Sequence, residues 1–364
     1  MVKVVKLGVF MKNSLYNSSI YMEQLDSTIN NYELFSTIKD VNIFITGATG
    51  LIGSAIVDLL MRNNEINNAG NFVYIACRDK EKARDRFEKY SNSQYLKVVY
   101  YDACKNNELD GNYDYIIHAA SNAFPALISK EPVETILSNV QATNELLDLA
   151  VKCGATNTVY ISSSEVYGKK ENGGAFVEDE YGYVDILNSR SSYPLSKRMG
   201  ENLCISYAVE HGINVNIVRP GHIYGPTASK RDNRVSSQFA FLAAEGKDIV
   251  MKSEGMQLRS YCYMIDCATA ILYVMLNGEN MQAYNISNSQ SIITIRQLAQ
   301  QYAEYANVKV VFDVPSEQEK AAFNPMDNSS LNSEKIEKLG WHGMYNAEKG
   351  TISTIQILKQ MQAD

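Results

Sequence analysis

The chain has 364 residues, 45% of them hydrophobic and 21% charged, with a formal net charge of −7. That length suits one large or two modest domains, and that balance is ordinary for a globular protein able to bury a core without disulfides or metals. The acidic balance argues against general nucleic-acid or polybasic membrane binding, and leaves room for a local basic pocket around a diphosphate.

The opening MVKVVKLGVF has lysines and a short apolar stretch but no small-residue cleavage site. It reads as an upstream extension rather than a signal peptide, with Met11 an alternative start. No apolar run reaches the roughly 18 residues that a membrane helix needs, so no membrane partner is expected. Residues 11–40 are polar, with Ile20, Met22, Leu25, Ile29, Leu34 and Phe35 at rough helical spacing. They predict an N-terminal arm, 1–40, packed on the domain surface, with a dimer contact or a lid as alternatives.

From Val41 the pattern changes. Val41–Thr46 reads as a buried strand, followed by a glycine-rich turn and a helix over Leu51–Arg62. Further strands are predicted at Phe72–Ala76, Lys97–Tyr101, Tyr115–His118, Thr158–Ser162 and Asn214–Val218. Helical stretches such as Pro132–Val151 and Tyr193–His211 separate them. Alternating strands and helices predict an α/β, doubly wound parallel sheet over 41–225, with right-handed crossovers. Residues 226–364 read mainly as a smaller α/β substrate-binding region, with 263–277 returning to the first domain. The Asn/Ser/Gly clusters at 63–71, 169–174 and 324–333 read as loops. Six cysteines (Cys77, Cys104, Cys153, Cys204, Cys262, Cys267) form no C-x-x-C pair, and histidines number four. Reduced, mostly buried thiols of a cytosolic protein are expected, and no metal site.

The turn Gly47-Ala-Thr-Gly50-Leu-Ile-Gly53 follows a strand and opens a helix, the context in which a glycine pattern carries weight. Gly47 would allow the tight turn, Gly50 the approach of a pyrophosphate, and Gly53 close helix–sheet packing. The helix N-terminus then offers free N–H groups and a positive dipole end to the phosphates. A ribose-binding acid is expected where the second strand ends, but that strand ends Ala76-Cys77-Arg78-Asp79. Arg78 favours a 2′-phosphate and so NADP. With Arg78 a solvated charge and Asp79 on the ribose, the cofactor is NAD instead. Asp102 is placed for the adenine edge.

Tyr193-Pro-Leu-Ser-Lys197 puts a phenol and an ammonium on one helix face. The ammonium is expected to lower the tyrosine pKa, fitting it to take a proton from a sugar hydroxyl as hydride leaves. Ser163, in Ile161-Ser-Ser-Ser-Glu-Val-Tyr-Gly168 at an earlier strand end, offers a hydroxyl to the same oxygen.

Taken with His118-Ala-Ala-Ser121 and Arg219-Pro-Gly-His-Ile-Tyr-Gly-Pro226, these motifs make the chain resemble the extended short-chain dehydrogenase/reductase family of nucleotide-sugar enzymes. The match runs in order over about 41–275. Ser163–Gly168, Glu180–Tyr193, Asp232–Phe239 and Arg259–Asp266 resemble the UDP-glucuronate decarboxylase branch in particular. The resemblance implies a Rossmann-type fold, a nucleotide-sugar substrate and a homodimer through helices 132–151 and 193–211. It implies a catalytic set of Ser163, Ser164, Glu165, Tyr193 and Lys197. Dinucleotide contacts are implied at Gly47, Thr49, Gly50, Leu51, Ile52, Gly53, Arg78, Asp102 and Ala103. Others are implied at Ala119, Ala120, Ser121, Tyr193, Lys197, Pro220 and His222. Substrate contacts are implied at Pro125, Arg190, His222, Arg234, Arg259 and Tyr263.

Ser164 stands where related 4,6-dehydratases carry an aspartate that protonates the leaving hydroxyl, which disfavours that reaction. His222 stands where the decarboxylases have Asn. The implied reaction is decarboxylation of UDP-glucuronate or a close relative through a 4-keto intermediate. An NADPH-dependent reductase of a 4-keto-6-deoxy sugar, a 4-epimerase and a non-catalytic dinucleotide sensor are the alternatives.

Overall fold

The computed structural model describes residues 14–121, 125–170, 173–230, 232–316 and 326–362. The opening segment and Met11 lie outside the described residues. The arm forms α1 (Ser19–Asn31) and α2 (Leu34–Thr37), with the Ser18 side chain accepting from the Tyr21 N–H to start α1. Leu25, Ile29, Leu34 and Phe35 are buried as expected, but Tyr21 rather than Ile20 or Met22 completes the inner face. The phase is set by hydroxyls: Tyr16 and Tyr21 both donate to the carboxylate of Asp58, which is buried in the next helix.

The chain then runs β1 (Asn42–Thr46), α3 (Leu51–Asn67), β2 (Phe72–Cys77), α4 (Lys80–Arg86) and β3 (Leu96–Tyr100). Next come β4 (Tyr115–His118), α5 (Pro125–Lys130), α6 (Pro132–Cys153), β5 (Asn157–Ile161), α7 (Ser192–His211) and β6 (Val215–Pro220). After these lie β7 (His222–Tyr224), α8 (Val235–Ala244), β8 (Ile249–Met251), β9 (Leu258–Tyr263), α9 (Met264–Asn277) and β10 (Gln282–Ile286). The chain closes with β11 (Ile292–Thr294), α10 (Ile295–Ala306), β12 (Val310–Phe312), β13 (Asn328–Ser329), α11 (Glu334–Lys338) and α12 (Ala347–Gln362).

Seven parallel strands form the central sheet in the order β10-β6-β5-β4-β1-β2-β3. Strand order reverses between β1 and β4, and the crevice at such a switch point is where open α/β sheets bind ligands. Side chains alternate across the sheet as strand geometry requires. Ile43 and Ile45 enter one core with α3, α9 and the arm, while Phe44 enters a second core with α6 and α7. The expected doubly wound sheet is therefore present, with its sixth expected strand joined by a seventh, β10, from the stretch grouped with the substrate-binding region. A smaller set, β7, β9, β11 and β13, forms a second sheet, and β8 pairs with β12.

The expected loop at 63–71 is partly helical. Asn64 exchanges hydrogen bonds with the backbone of Asn71, which carries α3 on to Asn67 before Asn68 ends it in the left-handed conformation. Three of the six cysteines are buried; Cys77 and Cys153 are half-buried and Cys104 is exposed. Among the described residues no helix is long and apolar enough to cross a membrane.

Candidate active site

The glycine turn leaves β1 with Gly47 at φ +64°, and a Cβ there would stand 2.5 Å from the Ala119 carbonyl oxygen. A Cβ on Gly53 would stand 2.4 Å from the Gly47 carbonyl oxygen. Both glycines are thus demanded by close backbone approach, at β4 and at the turn itself. Gly50 caps α3 without any side-chain hydrogen bond, so the first-turn N–H groups at Leu51, Ile52 and Gly53 are left uncapped by a side chain. That arrangement fits a dinucleotide diphosphate. Thr49 is half-buried beside them, and the Leu51 carbonyl receives the Thr227 hydroxyl at 2.8 Å.

At the β2 end, Asp79 is already used. Its carboxylate accepts the Lys82 N–H at 2.9 Å and caps α4. The Arg78 side chain is 66% exposed, with Nη1 4.0 Å from the carboxylate of buried Asp102. Asp102 also accepts the Cys104 N–H across Ala103. Ala119 and Ala120 direct their N–H groups to the Thr46 hydroxyl, at 3.2 and 3.1 Å. Ser121 starts a chain of side-chain hydrogen bonds to Asn139 (2.8 Å), from Asn139 to Ser196 (2.9 Å), and from Ser196 to the Tyr193 carbonyl (2.9 Å). Pro125 opens α5 at the edge of this region.

Tyr193 and Lys197 lie on the first turns of α7, both buried. Ser163, just past β5, stands close enough to the Tyr193 phenol to lower its pKa and accepts the Glu165 N–H at 3.2 Å. Lys197 Nζ donates to the Ile161 carbonyl at 2.8 Å and lies 4.8 Å from the centre of the Tyr160 ring and 6.0 Å from that of Tyr193. Burial pushes Lys197 down to about 7, against the opposing charge of Glu201. The expected lowering of the tyrosine is corrected by the structure. Burial first, then the Glu165 charge, push Tyr193 up to about 12, and Ser163, Arg234 and Arg190 offset this only in part.

Beyond the phenol lies a charged wall. Glu165 pairs with Arg190 at 3.0 Å, and the buried Arg190 Nε has no hydrogen-bond partner among the described residues. Arg234, at the start of α8, forks onto Asp232 with Nε 3.0 Å from both carboxylate oxygens. Arg259 on β9 is 3% exposed and donates to the carbonyls of Leu258 (2.9 Å) and Asp327 (3.4 Å). Burial pushes its guanidinium below the ordinary value, with Glu165 among the charges that oppose this. His222 begins β7 just after buried Pro220, its ring 5.7 Å from that of Tyr261. Burial, then Arg259 and Arg234, push it down to about 3, and its Nδ1 is unpartnered among the described residues. Ser164 is buried behind Glu165.

Tyr263 is not part of this wall. It is fully buried, donates to Gln24 of the arm at 2.9 Å and packs against Tyr345 and Tyr224. The arm and the 345 segment cover the end of β9 and turn that residue into core.

The arrangement combines a buried phenol, a hydroxyl beside it, an ammonium beneath and a cationic wall beyond. It is equipped to move a proton at a group placed against the phenol, next to the glycine turn. Residues 43–287 match the NAD dependent epimerase/dehydratase family. UDP-glucuronic acid decarboxylase 6 of Arabidopsis thaliana is 30% identical over 330 residues, covering 90% of each chain. UDP-N-acetyl-alpha-D-glucosaminuronate decarboxylase of Bacillus cytotoxicus is 29% identical, covering 88% of this chain and 98% of its own. In fold, the chain is similar to UDP-glucuronic acid 4-epimerase of Bacillus cereus, solved with UDP-glucuronic acid and NAD. The TM-score is 0.75 at 19% identity, over 88% of this chain and 99% of that one.

Proposed function

Because the chain belongs to the NAD dependent epimerase/dehydratase family, we propose that it decarboxylates a nucleotide-linked hexuronic acid, UDP-glucuronate or a close relative. The observation that carries this reading is Arg259. It is a buried guanidinium held only by carbonyl oxygens, with no carboxylate paired to it among the described residues. Leaving a buried charge without an opposite charge is costly, and a substrate carboxylate supplies that charge. Two relatives named for decarboxylation of uronic acid nucleotides support the same chemistry.

The uncapped turn of α3 would hold the cofactor's diphosphate, and NAD bound there supplies the hydride acceptor for C4 of the sugar. Tyr193 takes the proton of the 4-hydroxyl, with Ser163 holding that oxygen and Lys197 supplying positive charge beneath. Oxidation at C4 leaves a ketone two carbons from the carboxylate. Carbon dioxide departs with the bonding electrons drawn toward the C4 oxygen, C5 gains a proton, and Tyr193 returns its proton as C4 is reduced. Arg259 holds the carboxylate, Glu165 positions Arg190, and Arg234 and His222 line the same wall. Ser164 offers no acid to expel a 6-hydroxyl. NAD rather than NADP suits this hydride-neutral cycle, and the Arg78 guanidinium stands 4.0 Å from the Asp102 carboxylate.

The test is direct. Purified protein with UDP-glucuronate should release carbon dioxide and a UDP-pentose. Absence of turnover with and without added NAD would overturn the reading. UDP-galacturonate as product would make it a 4-epimerase, and NADPH oxidation on a 4-keto-6-deoxy sugar nucleotide a reductase. A homodimer through α6 and α7 belongs to the same proposal. Val133, Ile136, Leu137, Met199 and Val209 leave apolar surface exposed on those helices. So does a cytoplasmic setting, since all six thiols are free.

A further inference from the structure

Thr46, His118 and Tyr160 are register partners across β1, β4 and β5, and the Lys197 ammonium lies over the Tyr160 ring. One row of side chains therefore joins the residue before the glycine turn to the lysine beneath the phenol. The Thr46 hydroxyl accepts the Ala119 and Ala120 N–H groups and stands 2.9 Å from His118 Nδ1. A hydroxyl has two acceptor lone pairs and one proton. Both lone pairs are taken, so the proton points to Nδ1, and Nδ1 must be bare. The single ring proton then sits on Nε2. That atom is buried and without a hydrogen-bond partner among the described residues, in a side chain only 2% exposed. The charged group that faces the ring is the Lys197 ammonium, with Tyr160 alongside. A doubly protonated ring would set two donors against each other at Thr46 and two cations against each other at Lys197. Burial first, then Lys197, push His118 down to about 3.

We propose that Thr46 and His118 are positioning residues of the reaction site. Thr46 holds His118 as the neutral Nε2–H tautomer. The pair fixes the Ala119–Ala120 backbone against the glycine turn and keeps a second positive charge away from Lys197. The inference rests on reading Lys197 as part of the catalytic set, but its primary test needs no substrate.

Nitrogen-15 NMR of the histidines in the whole protein, with His118→Gln to assign the signal, reads the tautomer directly. One ring with bare Nδ1 and protonated Nε2, unchanged between about pH 5.5 and 8.5, is expected. A protonated Nδ1 in the unaltered protein, or titration in that range, overturns the proposal. Thr46→Val should mix the tautomers and weaken dinucleotide binding about tenfold, and Thr46→Ser should restore both. Unchanged tautomer and affinity in Thr46→Val also overturn it. If Thr46→Val does not fold, the unaltered protein and Thr46→Ser still decide the matter. Loss of the sugar assay with the NMR signature intact would refute the decarboxylase reading and leave this one standing.

Discussion

Around the glycine turn, most side-chain polar groups and the glycine contacts close on the protein itself. Thr46 takes two backbone N–H groups, Asp79 is spent on capping α4, and Gly47 and Gly53 meet carbonyls with no room for a Cβ. Along the other strand ends the polar groups are left open. Among the described residues, Arg190 Nε and His222 Nδ1 lack partners and Arg259 rests on carbonyls alone. On the proposed reading the first region recognises by backbone shape, which a ligand of fixed diphosphate geometry matches. On the same reading the second recognises through the unpaired charge of Arg259 and the open polar atoms beside it, which the substrate completes. Shape fails through bulk, whereas charge fails through neutralisation, so different substitutions should break the two.

The largest effect is expected where the regions meet. Tyr193→Phe keeps the ring and its packing but removes the proton acceptor, so turnover should fall on the order of 10³-fold with dinucleotide binding retained. Near-normal turnover in stopped assays would remove the acid–base role. Arg259→Met should lower kcat/KM for an acidic sugar about 100-fold while leaving the thermal midpoint equal or higher, because a buried unpaired charge is lost. A fall in stability alongside a small kinetic effect would make Arg259 a structural cation instead. Gly53→Ala should act in the opposite manner. Its Cβ would press on the Gly47 carbonyl, costing about 1–3 kcal/mol of stability and weakening dinucleotide affinity. At saturating cofactor, turnover should survive; calorimetry beside a binding titration reads both.

The mildest effect concerns pH. Lys197 is lowered to about 7 in the fold from an ordinary 10.5. Between those values the unfolded chain binds the extra proton, so stability gains with rising pH across that window. Below the lower value the buried charge opposes folding throughout. Lys197→Met should flatten that part of the pH–stability curve, and identical curves for the two proteins would show that the ammonium is better satisfied than its single carbonyl contact implies.

Much of this was legible in the sequence because it depends on local pattern. Fully buried runs such as 43–46 and Asn157–Ile161 mark central parallel strands, and a glycine turn between strand and helix declares its backbone demands. Tyr193 and Lys197 are paired by helical spacing. The remainder depends on contacts between distant segments. Strand β10 carries Gln282 and Asn285 at the sheet edge and has no apolar run to announce it. Tyr263 shares the alternation of Arg259 along β9 but is claimed by Gln24 of the arm, which no strand motif encodes. Thr46 with His118, and Glu201 with Arg219 at 2.7 Å, are likewise pairings that only folding brings together. The expected drop in the tyrosine pKa failed for a related reason. Helical spacing put the ammonium 6.0 Å from the ring centre, but burial and then the Glu165 charge dominate the phenol.

The carboxylate of Asp58 bears on how the molecule opens. It sits without solvent exposure on α3, satisfied by Tyr16 and Tyr21 from the arm and by Arg86 from α4. Peeling away the arm would strip its two phenol donors from an anion in a dry setting, so the arm and α3 should open as one cooperative unit. Amide protons of Ser19–Asn31 should then exchange with deuterium as slowly as those of Leu51–Asn67. Dinucleotide bound at the far end of α3 should slow them further, in a helix that it does not touch.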